Sequence, residues 1–147
     1  MSGPTTPDSL SLLASLASQA LASTQNPVNY IADSTHTTSF TATVGQIYSG
    51  AVEAVLELKG TLAAAANITT PNAATLFQSI SNCIVGQTFK FRVVNSSTGA
   101  YTWTVVAGTG GTVVGTATVP QNTWREYLVT FTSPSTATYQ SLGSGTN

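Results

Sequence analysis

The chain has 147 residues, 41% of them hydrophobic, enough to fill one core of ordinary domain size. Charged side chains make up only 6%, against about 25% in typical soluble domains, and the net charge is −1. Four basic residues (Lys59, Lys90, Arg92 and Arg125) cannot neutralise a run of phosphates, which argues against nucleic acid as a partner, and no apolar run approaches the roughly 18 residues of a membrane span.

Residues 1–37 read as an N-terminal extended arm, rich in Ser, Thr and Ala, with Asp8 and Asp33 as its only acids and three of the six prolines. Thr6 is placed to cap a helix, Pro7 suits its first position, and Asp8 complements the positive end of the helix dipole. Leu10, Leu13, Ala17 and Leu21 recur at spacings of three and four, with Leu12, Leu16 and Ala20 widening the stripe, so a short helix is predicted over about residues 7–22. A helix of that length is marginal alone, and its stripe needs a surface to lie against. The run from Leu10 to Ala22 also has the texture of a secretion signal, but no Lys or Arg precedes Lys59, so it reads as mature sequence. Pro27 ends the helical stretch, and Val28 to Thr37 is expected to be extended.

Residues 38–147 read as one β-domain. Thr38 to Val44 alternates as a half-buried strand does, and Val55 to Leu62 is preferred as strand over helix because Leu56 and Leu58 alternate with Glu57 and Lys59. Asn67 to Ile80 carries a helical stripe of Ala74, Leu76, Phe77 and Ile80, with Thr70 as candidate cap and Pro71 in the first turn. Thr88 to Asn95 alternates Phe89, Phe91 and Val93 with Lys90 and Arg92. The turn Ser96-Ser97-Thr98-Gly99 then leads into Ala100 to Ala107, and the two strands are expected to form an antiparallel hairpin. Thr112 to Val119, Trp124 to Thr132 and Ala137 to Leu142 complete seven or eight strands. That count and the turn spacing point to an all-β fold, a single β-sandwich or jelly-roll-like domain behind the arm.

Little in the chain suggests chemistry. His36 is the only histidine and Cys83 the only cysteine, which rules out an internal disulfide and a cysteine-based zinc cage, and no cofactor is expected. Cys83 reads as a small apolar side chain and His36 as a solvated or interface residue. Glu53 and Glu57, four residues apart on a strand, lie roughly 13 Å apart, too far for a glycosidase pair. The glycines at 108, 110 and 111 make a turn, not a phosphate loop. Asn67-Ile68-Thr69 and Asn95-Ser96-Ser97 match the N-glycosylation sequon, which matters only in a eukaryotic secretory setting. Tyr101, Trp103, Trp124, Tyr127 and Phe131 are expected mainly in the core, with a sugar-binding platform as the competing use.

Three segments, SFTATVGQIYSG (39–50), VGQTFKFRVVNSSTGAYTWTV (85–105) and QNTWREYLVTFTSPSTATYQSLGSG (121–145), carry a resemblance. The chain from about Thr38 to Gly143 resembles small β-sandwich proteins encoded among the virion genes of tailed bacteriophages, including those that infect cyanobacteria. The resemblance implies a capsid decoration, or cement, protein: non-enzymatic, made in the host cytoplasm, and bound as a homotrimer to the major capsid protein on the outer surface of the assembled shell. A head-fibre or tail-tip receptor-binding module is the alternative. The arm matches no family motif. Its uncharged apolar residues Leu10, Leu13, Leu16, Leu21, Val28, Tyr30 and Ile31 are the expected contacts with the capsid or another partner.

Overall fold

The computed structural model describes residues 28–50 and 53–147, and before them Ala14. The helix expected over about residues 7–22 lies, apart from Ala14, outside the described residues. What is described is all-β: ten strands in two sheets, with two short helices. The strands are β1 (Val28–Asp33), β2 (Phe40–Thr41), β3 (Glu53–Leu58), β4 (Ala66–Thr69), β5 (Thr88–Asn95), β6 (Trp103–Val106), β7 (Gly111–Val114), β8 (Thr118–Val119), β9 (Thr123–Ser133) and β10 (Thr136–Thr146). Helix α1 is Val44–Ile47 and α2 is Ala73–Ser79.

The first six strands alternate between the sheets. β1, β3 and β5 lie side by side and parallel in a six-stranded sheet of order β1-β3-β5-β9-β10-β7. β2, β4 and β6 do the same in a four-stranded sheet of order β2-β4-β6-β8. The chain thus winds between the two sheets before β9 and β10 close the larger one as an antiparallel pair, with β7 parallel to β10 at its far edge. This mixed order does not reproduce the antiparallel neighbours of a jelly roll.

The inner faces of both sheets share one core. Leu56, Phe91, Val93, Tyr127, Val129, Phe131 and Tyr139 come from the larger sheet, Ile68, Trp103, Val105 and Val119 from the smaller, and Leu76 from α2. Phe91 stacks on Tyr127 with centroids 5.0 Å apart, and the edge of Phe40 meets Trp103 at 5.6 Å. Period-two alternation does the sorting: on β5, Phe89, Phe91 and Val93 go inward while Lys90 and Arg92 go outward.

The expected hairpin between residues 88–95 and 100–107 does not form. β5 pairs with β3 and β9, whereas β6 belongs to the other sheet, beside β4 and β8. A buried polar knot at the end of β5 redirects the chain. The Asn95 amide donates to the carbonyls of Tyr101 (3.1 Å) and Val119 (2.9 Å) and accepts from the Ser97 N–H (3.1 Å) and hydroxyl. Trp103 Nε1 donates to Ser97 Oγ at 3.1 Å, so the knot fastens the larger sheet to the smaller.

Other boundaries shift as well: the strand expected over 55–62 is Glu53–Leu58 and that over 100–107 is Trp103–Val106. Only Phe40–Thr41 of the expected strand 38–44 is strand, because Val44 opens α1, where the Gln46 side chain accepts from the Thr43 N–H at 2.8 Å. The stretch 67–80 divides into β4 and α2, with Asn72 rather than Thr70 as the cap. The segment 112–119 likewise splits into β7 and β8, one in each sheet.

Candidate functional site

Of the residues expected to contact a partner, Leu10, Leu13, Leu16 and Leu21 lie outside the described residues. Val28 and Tyr30 project from β1 and are 43% and 56% exposed. Ile31 points the other way and packs against the core, so it serves the domain's own interior. The extended segment 28–33, read as part of the arm, is the edge strand of the larger sheet, paired along its length with Glu53–Leu58.

On the outer face of that sheet four of the chain's nine charged side chains cluster. Register places Val55 beside Arg92 and Arg92 beside Glu126, with Glu53 beside Lys90. Arg92 Nη2 donates to Glu126 Oε2 at 3.0 Å, Arg92 Nε lies 3.6 Å from Glu53 Oε1, and Lys90 Nζ lies 3.7 Å from Glu126 Oε1. The guanidinium also sits over the Trp124 ring, 4.4 Å from its centroid, a cation–π contact. The same ring lies across Gly145, where a Cβ would approach it to 2.8 Å.

Burial raises the Glu53 carboxyl, and the adjacent Glu126 adds to this against the opposing charges of Arg92 and Lys90. Glu126 is lowered, chiefly by its hydrogen bond with Glu53 and further by Arg92 and Lys90. The pair is therefore polarised, with Glu53 the carboxyl that more readily keeps a proton. Glu53 Oε1 and Arg92 Nε are buried without hydrogen-bond partners.

The remaining candidates have local partners. Glu57 accepts from the Ser96 hydroxyl at 2.6 Å and pairs with Lys59 at 3.1 Å, so Glu53 and Glu57 belong to separate groups. His36 Nδ1 meets Asp33 Oδ2 at 2.5 Å and its ring stacks on Phe40 at 3.7 Å. Burial tends to raise the Asp33 carboxyl, but hydrogen bonds from the Thr35 side chain and backbone and from His36 outweigh it and hold the group at about 2. Half-buried Cys83 packs against the core, and burial pushes its thiol up, away from the reactive thiolate. No set of three metal-binding side chains occurs among the described residues. Of the aromatic residues, Trp103, Tyr127 and Phe131 are fully buried, Trp124 is half-buried and Tyr101 is exposed.

The outward direction of Lys90 and Arg92 is legible from alternation. Their meeting with Glu53 and Glu126 is not, because it depends on which strands are neighbours. Comparison with family models, with curated proteins and with solved structures finds no match to this chain.

Proposed function

We propose that the protein is a non-enzymatic structural component of a phage particle, a decoration protein that binds the outer surface of the assembled capsid and stabilises it as a homotrimer. The observation that carries this reading is how charge is disposed. Of the nine charged residues, Asp8 lies outside the described residues. Each of the other eight is held by a partner within the fold: Asp33 by His36, Glu57 by Lys59, Glu53, Lys90, Arg92 and Glu126 by one another, and Arg125 by the Thr118 carbonyl and the Ser141 hydroxyl. Apart from exposed Lys59 and half-buried Lys90, what is left for a partner is hydroxyl, amide and apolar surface, which is far cheaper to desolvate than charge. Many such contacts, each weak, act together when copies are tethered on one shell.

Binding to purified undecorated capsids tests the reading: the full chain is expected to bind at hundreds of copies per particle and to raise the temperature at which the shell bursts. Absence of binding refutes it. The alternative, a glycan-binding fibre or tip module, draws on exposed Tyr101 and half-buried Trp124. It predicts only a handful of copies per virion by quantitative mass spectrometry.

A further inference from the structure

The geometry points to β1 as a self-pairing edge, through which two copies of this chain join their larger sheets across a two-fold axis. This goes beyond the decoration reading and does not depend on it. An edge strand presents unpaired N–H and C=O groups, and proteins blunt such edges by shortness, charge, proline or irregularity. Among the described residues the two sheets have four edges, and three of them are blunted. β2 and β8 have two residues each, and β7 has four, closed off by Gly110 and Gly115 at φ +78° and +87°. β1 is different: it runs for six residues, VNYIAD, in regular register with β3, and its one charge is the terminal Asp33.

The sequence of β1 selects the partner and the register. For two copies to pair antiparallel with their outer faces on the same side, a residue must oppose one of the same parity. Centring the axis on Tyr30 sets Val28 against Ala32, Asn29 against Ile31, and Tyr30 against its own copy. The window 28–32 is then free of charge, and Asp33, occupied by Thr35, His36 and Gln46, falls outside it. The two most exposed side chains of β1's apolar set, Val28 at 43% and Tyr30 at 56%, become covered on the outer face. The tyrosines stack at the axis as a cross-strand aromatic pair. A two-fold contact links copies in pairs, so in a threefold assembly it joins one trimer to the next.

Cysteine cross-linking of the full chain tests the register. Directly opposed residues of an antiparallel pair have Cα atoms about 4.5–5.5 Å apart, within the roughly 4.4–6.8 Å that a disulfide spans. Tyr30→Cys is expected to yield a disulfide-linked dimer as the main product of mild oxidation. Val28→Cys alone is not, whereas Val28→Cys combined with Ala32→Cys is. Sedimentation of Tyr30→Lys, which sets two ammonium groups at the axis, is expected to show at least a tenfold weaker concentration-dependent association with an unchanged melting temperature. The inference is overturned if Tyr30→Cys stays uncross-linked, if Val28→Cys cross-links as readily as Tyr30→Cys, or if Tyr30→Lys associates as the parent does.

Discussion

Replacing Asn95 with alanine removes the knot that ties β5 to the opposite sheet. Asn95 is fully buried and makes four hydrogen bonds, two donated and two accepted. A neutral hydrogen bond contributes about 1 kcal/mol net, but a buried group left without its partner costs roughly 1–3 kcal/mol. The Ser97 N–H loses its acceptor and the Tyr101 and Val119 carbonyls lose the amide that donates to them, while the Ser97 hydroxyl keeps its bond from Trp103. Together with the small cavity, a loss of about 3–5 kcal/mol follows. At roughly 2–4 °C per kcal/mol for a chain of this size, the melting temperature falls by about 6–20 °C. Urea denaturation monitored by tryptophan fluorescence measures it directly, with Ser96→Ala, at a more exposed hydroxyl bonded to Glu57, as a control losing under about 1 kcal/mol. Asn95→Asp sharpens the test, because it keeps the acceptor and directs a carboxylate at two carbonyls. Its folded pKa is raised, so its stability is highest in acid and falls as pH rises through that value. A loss below about 1 kcal/mol for Asn95→Ala, or an Asn95→Asp variant indifferent to pH, refutes the knot as the link between sheets.

Three further outcomes are expected. The Tyr139 hydroxyl is buried without a hydrogen-bond partner, so Tyr139→Phe is expected to leave stability unchanged or raise it by up to about 1 kcal/mol in the same urea titration. Because Glu53 is raised above its usual 4.5, the folded state binds the extra proton, and this residue's contribution declines as pH rises above that value. Glu53→Gln should therefore gain on the parent between acidic and neutral pH, as read from denaturation midpoints. Asp33 is lowered from 3.8 to about 2, so its contribution is full above the higher value and is lost as pH falls through the lower one. Asp33→Asn is expected to flatten the pH dependence of the melting temperature across that window.

How much of this was legible in the sequence depended on whether the signal was local. β5 was predicted over 88–95 and is found there, because Phe89, Phe91 and Val93 alternate strictly with Lys90 and Arg92. β9 and β10 extend the predicted strands by one to four residues at their ends. α1 carried a readable mark that alternation obscured: Thr43 followed three residues later by Gln46 is a capping-box spacing. Strand neighbours were not legible. Ser96-Ser97-Thr98-Gly99 looks like a hairpin turn, yet the side chain just before it, Asn95, bonds across to Tyr101 and Val119 and sends the chain to the other sheet. The cluster around Arg92 was hidden for the same reason, since Glu53 and Glu126 reach it only through the parallel β3–β5 and antiparallel β5–β9 ladders. Val28, Tyr30 and Ile31 were expected together as partner contacts, but Ile31 lies on the opposite face of β1 from the exposed Val28 and Tyr30, because alternation along a strand separates neighbours.

The winding of the first six strands leaves room for sequence to grow without disturbing the sheets. Register partners step from Val28 to Glu53 and then to Lys90, intervals of 25 and 37 residues between equivalent positions on β1, β3 and β5. The longer circuit carries α2 and the loop from Ser81 to Gln87, where Ile84 and Val85 are 67% and 53% exposed. One circuit already exceeds another by twelve residues (37 against 25) while the ladders stay in regular register, so the loop at 82–85 is the natural place to graft a foreign peptide. The guest would leave the two sheets at the end of α2 and return at β5, carried as cargo by a scaffold whose own geometry does not depend on the length of that turn.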